Sequence, residues 1–143
     1  MRIFRDILVV FWVFFGQSAS AAPLGISVIS NLSFGSAPQG SPALTIPPGT
    51  AETAQNASFK VTGTKNAAYT ITLPASATMT TGAGGANRTI TINSFQSFPA
   101  AGANGMIQNN GQQMIYVGAT RAALAFSQVP GAYSGTFTVT VVY

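Results

Sequence analysis

Along residues 133–143 apolar and polar positions alternate. Tyr133, Phe137, Val139, Val141 and Tyr143 fall on one parity, and Ser134, Thr136, Thr138 and Thr140 fall on the other. A period of two is that of a strand with one buried and one solvated face. The same period recurs in shorter stretches. Leu24, Ile26, Val28, Leu32 and Phe34 share a parity within residues 22–35, and further alternating segments cover 43–46, 57–62, 69–73, 89–95, 114–119 and 122–126. Helical spacing is never sustained beyond a turn or two. About eight short strands with turn residues between them predict an all-β, immunoglobulin-like antiparallel β-sandwich. Phe59, Tyr69, Phe126 and Phe137 sit on alternating strand positions and are read as core.

Turn chemistry divides these segments. Pro47-Pro48-Gly49 ends one strand, Thr64-Lys65-Asn66 makes a tight connection, and Pro74 stops the strand before it because it cannot donate into a ladder. Residues 81–87 contain Gly82-Ala83-Gly84-Gly85, which reads as a hairpin loop, since Arg88 leads straight into a strand and no helix follows to cradle a phosphate. Residues 99–113 form the longest irregular stretch. Tyr133, just after Gly131, stands where Greek-key sandwiches place a tyrosine corner at the start of their penultimate strand. With no strand after it in the sequence, the sandwich is expected to be incomplete and to be completed by a donor strand.

The first 21 residues have the pattern of an export signal. Arg2 and Arg5 form a basic head, residues 7–15 are apolar, and Ala19-Ser20-Ala21 is a small-residue cleavage site. The apolar run falls short of the roughly 20 residues that span a bilayer. Cleavage after Ala21 leaves 122 of the 143 residues, enough for one domain without metals or disulfides. The division is then a signal peptide over 1–21, an N-terminal strand over 22–30 and a sandwich domain over 31–143, with no membrane span after cleavage. The destination is the cell surface or the medium, by way of the periplasm.

Charge removes most chemistries. The chain has no His and no Cys, and residues 22–143 carry Lys60, Lys65, Arg88 and Arg121 against Glu52 alone, a net charge of +3. General acid–base pairs, catalytic triads and ligand clusters for zinc or calcium lack their parts, so no enzyme, cofactor or metal is expected. Four dispersed cations are too few to track a phosphate backbone, which argues against nucleic acid. Asn31-Leu32-Ser33, Asn56-Ala57-Ser58 and Asn87-Arg88-Thr89 match the glycosylation acceptor pattern, a short pattern that arises by chance in chains this rich in Asn and Thr.

Scarce charge carries a positive implication as well. Sheet proteins guard their edges with charged residues, prolines or bulges, because an unpaired edge is a template for another strand. Residues 24–30 and 133–143 contain no charge. Leu32-Ser33-Phe34-Gly35, Phe59-Lys60-Val61-Thr62-Gly63, Tyr69-Thr70-Ile71-Thr72-Leu73-Pro74 and the run from Gly131 to Tyr143, in that order, resemble a family of small secreted bacterial β domains of unassigned function. The terminal G-x-Y-x-G-x-F-x-V-x-V-x-Y strand is also similar to the ending of spore-coat-protein-U-like pilins, the subunits of archaic chaperone-usher pili. That resemblance implies an incomplete immunoglobulin-like subunit, held by a periplasmic chaperone, delivered to an outer-membrane usher and completed by the N-terminal strand of the next subunit. The chain departs from those pilins in having no Cys.

Leu24, Ile26 and Val28 are therefore the candidate donor strand. Tyr133, Phe137, Val139, Val141 and Tyr143 are the candidate acceptor strand and core. The expected function is a structural subunit of a bacterial surface filament or coat, self-associating by strand addition, with a role in adhesion or biofilm. The alternative is a self-complete monomeric secreted module that binds sugar or protein.

Overall fold

Strands make up all the regular structure of the computed structural model, which describes residues 12–13 and 22–143. The export segment read over 1–21 lies outside the described residues apart from Trp12 and Val13. In chain order the strands are β1 (Trp12–Val13), β2 (Gly25–Ser30), β3 (Leu44–Ile46), β4 (Ala57–Thr62), β5 (Ala68–Thr72), β6 (Ser76–Thr80), β7 (Thr89–Phe98), β8 (Gly102–Met106), β9 (Gln112–Arg121) and β10 (Thr140–Val142). The larger sheet has the order β2-β4-β9-β7-β6, and β3 joins it against β9; the smaller has the order β1-β10-β5-β8. All pairings are antiparallel except β1 with β10.

Strand β9 organises the larger sheet. One of its edges takes β4 over its first half, with Phe59 opposite Ile115, and β3 over its second, with Thr45 opposite Thr120. The other edge takes β7, from Ile92 opposite Arg121 to Phe98 opposite Tyr116. Gly118 marks the handover between β3 and β4, where a Cβ would overlap the Ile46 carbonyl oxygen and the Pro47 backbone. Asn56 fixes the connection that follows β3. It is fully buried, its amide donates to the carbonyls of Pro48 (2.6 Å) and Ala51 (2.8 Å), and its Oδ1 accepts from the Thr53 N–H (2.8 Å). It is thus the pivot of a loop.

Alternation places Phe59 and Val61 of β4, Ile115 and Val117 of β9, and Ile90 and Ile92 of β7 on the inner face of the larger sheet. Tyr69 and Ile71 of β5, Val141 of β10, and Phe137 and Val139 before it complete the same core. The Phe137 ring meets Phe59 edge-on at 6.4 Å between centroids and Phe95 at 5.0 Å. Arg121 shares the inward parity of β9; Nη2 donates to the Pro42 carbonyl at 2.7 Å, and burial lowers its pKa from the ordinary value.

Several expectations are corrected. Residues 122–126 form no strand, and Phe126 is 85% exposed, its ring lying over Gly40 instead of in the core. Leu32 and Phe34 are buried but belong to a loop. Strand β8 lies inside the stretch read as irregular, and β6 begins two residues after Pro74.

Candidate functional site

The C-terminal segment runs along the margin of the sandwich. It begins at the tyrosine corner. Tyr133 is fully buried; its hydroxyl donates to the Val129 carbonyl at 2.6 Å, lies 3.2 Å from the Asn87 carbonyl, and accepts from Gln128 Nε2 at 2.9 Å. Ser134 then exchanges two backbone bonds with Thr80 of β6, at 2.8 and 3.0 Å. Gly135 permits this approach, since a Cβ there would overlap the Thr78 carbonyl oxygen. The chain crosses to the smaller sheet and pairs with β5 over Thr140–Val142, Val141 opposite Ile71.

Between these two attachments the backbone over 135–139 belongs to no ladder among the described residues. Phe137 and Val139 are nevertheless buried there, at 3% and 0% exposure. Among the described residues the segment is held by its side chains and not by a strand partner. Farther along, the outer edge of β10 is taken by β1, in parallel, with Trp12 opposite Thr140 and Val13 opposite Val141.

Of the candidate acceptor residues, Tyr133, Phe137, Val139 and Val141 are buried side by side in one core. Tyr143 is corrected: it is 38% exposed at the rim. Its hydroxyl donates to the Ala22 carbonyl (3.0 Å) and accepts from the Thr64 N–H (2.8 Å), with the ring over Gly63.

The structure does not pair Leu24, Ile26 and Val28 with 133–143; the two segments share the core, and Tyr143 bonds the Ala22 carbonyl. Within the single chain they are part of β2, the edge strand of the larger sheet, with Ile26 opposite Val61 and Val28 opposite Phe59. The reason is complementarity: Leu24 and Ile26 are buried at 2% and 6%, finishing the inner face that β4 begins, while Val28 packs half-buried against the same core. For one chain, the donor-strand reading of these residues gives way to an intrachain edge strand. The pairing of Trp12 and Val13 has no counterpart in the sequence reading, because residues taken as a removable leader carry no pairing signal.

A family model described as Domain of unknown function (DUF4402) matches residues 15–143. The chain belongs to this family. The matched span contains the L-x-F-G, F-K-V-T-G and terminal G-x-Y-x-G-x-F stretches, so the segment that forms this margin lies within the DUF4402 domain. No match is found among characterised proteins or solved structures.

Proposed function

We propose that this DUF4402 protein is an exported structural subunit of a bacterial surface filament or coat, similar to archaic chaperone-usher pilins and assembled by strand addition. The observation that carries the reading is the margin at β10. Its outer edge takes a parallel strand from outside residues 22–143, and the neighbouring 135–139 backbone has no ladder partner among the described residues while its apolar side chains face the core. An uncharged, alternating edge of this kind is suited to β-augmentation. The donor is residues 22–30 of a neighbouring copy, released from β4. Its three apolar side chains contribute roughly 1.5 to 3 kcal/mol each on burial, against the cost of association. A periplasmic chaperone would cover the margin before assembly, and an outer-membrane usher would receive the subunit.

One observation favours the second reading, a self-complete monomeric module that binds sugar or protein: β2 already closes its own sheet. The absence of Cys allows a clean test with engineered pairs. Ser27 and Lys60 face each other across β2 and β4, so Ser27→Cys with Lys60→Cys should close within one chain in the unassembled subunit. Ser27→Cys with Thr140→Cys should yield interchain disulfide ladders on non-reducing gels of assembled material. If that second pair gives monomer alone while the first pair closes fully, strand exchange is refuted and the monomeric module stands.

A further inference from the structure

The outer face of the larger sheet departs from the Ser/Thr pattern of the C-terminal segment. Strands β4, β9 and β7 lie side by side there, and their register sets Lys60 opposite Met114 and Tyr116 between Ser58 and Phe98. Lys60, Met114 and Tyr116 have the parity opposite to the buried Phe59, Ile115 and Val117, so they project outward. With the turn between β8 and β9, which brings in Gln108 and Asn110, and with Gln112 at the start of β9, they form a cleft of about 300 Å³. It shares no residue with the β10 margin.

The chemistry of the lining is specific. Phe98 leaves 47% of its surface exposed, an unusual position for a large apolar ring on a strand, and Tyr116 lies next to it. Gln108, Asn110 and Gln112 offer amides that both donate and accept. Lys60 is half-buried, and no acidic side chain pairs with it among the described residues; Glu52 is the sole acidic side chain in residues 22–143 and is exposed. A cation lining a cleft, with no acidic side chain paired with it among the described residues, suits an anionic ligand.

We propose that this cleft binds an acidic saccharide, a hexuronate unit or a sugar of similar chemistry, with its carboxylate on Lys60. The ring faces of Phe98 and Tyr116 suit the C–H faces of a pyranose, and the amides suit vicinal hydroxyls. A single cation matches one carboxylate per sugar unit and not a polyphosphate, while the open side of the cleft admits a longer glycan. The proposal is independent of strand addition: a coat subunit and a free module would present the same face.

Titration calorimetry of the mature protein with tri-galacturonate at low salt should show binding, with a neutral galactose trimer binding more weakly. Lys60→Gln should weaken tri-galacturonate by about tenfold or more, the order expected for losing a charge-assisted hydrogen bond, and should leave the neutral trimer unchanged. Phe98→Ser should weaken both. Lys65→Gln, outside the cleft, should weaken neither, and thermal melts verify that each variant is folded. No binding at millimolar saccharide, equal binding of the two trimers, or an unchanged affinity in folded Lys60→Gln would overturn the proposal.

Discussion

The Phe137 ring packs against two strands of the larger sheet. It touches Phe59 of β4 and Phe95 of β7, while its backbone lies outside any ladder among the described residues. Truncating it removes packing from the shared core. Phe137→Ala should therefore cost about 3 to 5 kcal/mol in chemical denaturation, whereas Thr138→Ala, on the other parity, should stay within about 0.5 kcal/mol. Equal losses would mean that the inward face is wrongly assigned. Asn56 teaches the opposite lesson at the same scale. As Asn-Ala-Ser it looks like a surface acceptor, yet its amide is enclosed by the Pro48 and Ala51 carbonyls, which no local motif reveals.

At the scale of elements, docking of the C-terminal segment depends on close backbone approach. Gly135→Ala should push the segment off β6 and raise amide exchange at Ser134 and Thr80, the reciprocally bonded pair; unchanged exchange in a folded variant would contradict this. What could be read from the sequence follows from which interactions build each strand. Ala57–Thr62 was legible because its apolar side chains meet the core, and β5 and β7 for the same reason. Strand β8, Gly102–Met106, was not, because Gly-Ala-Asn-Gly-Met shows little alternation; β5 pairs with it through main chain, and the Tyr69 ring covers Gly105. Strand β6 holds a single buried residue, Met79, between threonines. The Ala-Ala-Leu-Ala-Phe stretch misled in the other direction: Leu124 is core, but Phe126 is solvent-facing. The acceptor side chains were visible as a parity, while the strand that covers β10 was not, since partner choice is a property of edges and not of periods.

The molecule as a whole carries few titratable groups. With no His and no Cys, its stability should be nearly level between about pH 5 and 8. Tyr69 then sets the alkaline limit. Its hydroxyl is bonded to Gln113 Oε1 at 2.6 Å, and desolvation by burial raises its pKa above the ordinary value of 10.0. The folded state keeps the proton where the unfolded state releases it, so this contribution is intact below pH 10 and is lost as pH rises further. Denaturation profiles should fall above that point, and Tyr69→Phe should flatten the fall. Mass spectrometry of exported protein should find Ala22 first; retention of Trp12 would remove the leader from the account and leave β1 as a permanent strand. The position of β9 has a kinetic consequence. Its partners on one edge come from far upstream, as the Thr45 and Thr120 hydroxyls, 75 residues apart and 2.9 Å from each other, illustrate. Long loops must close before the central ladder forms, which slows folding. If the chain is exported as proposed, threaded from its N-terminus, it cannot complete the larger sheet until Arg121 has emerged, so its central ladder would form only late in the passage.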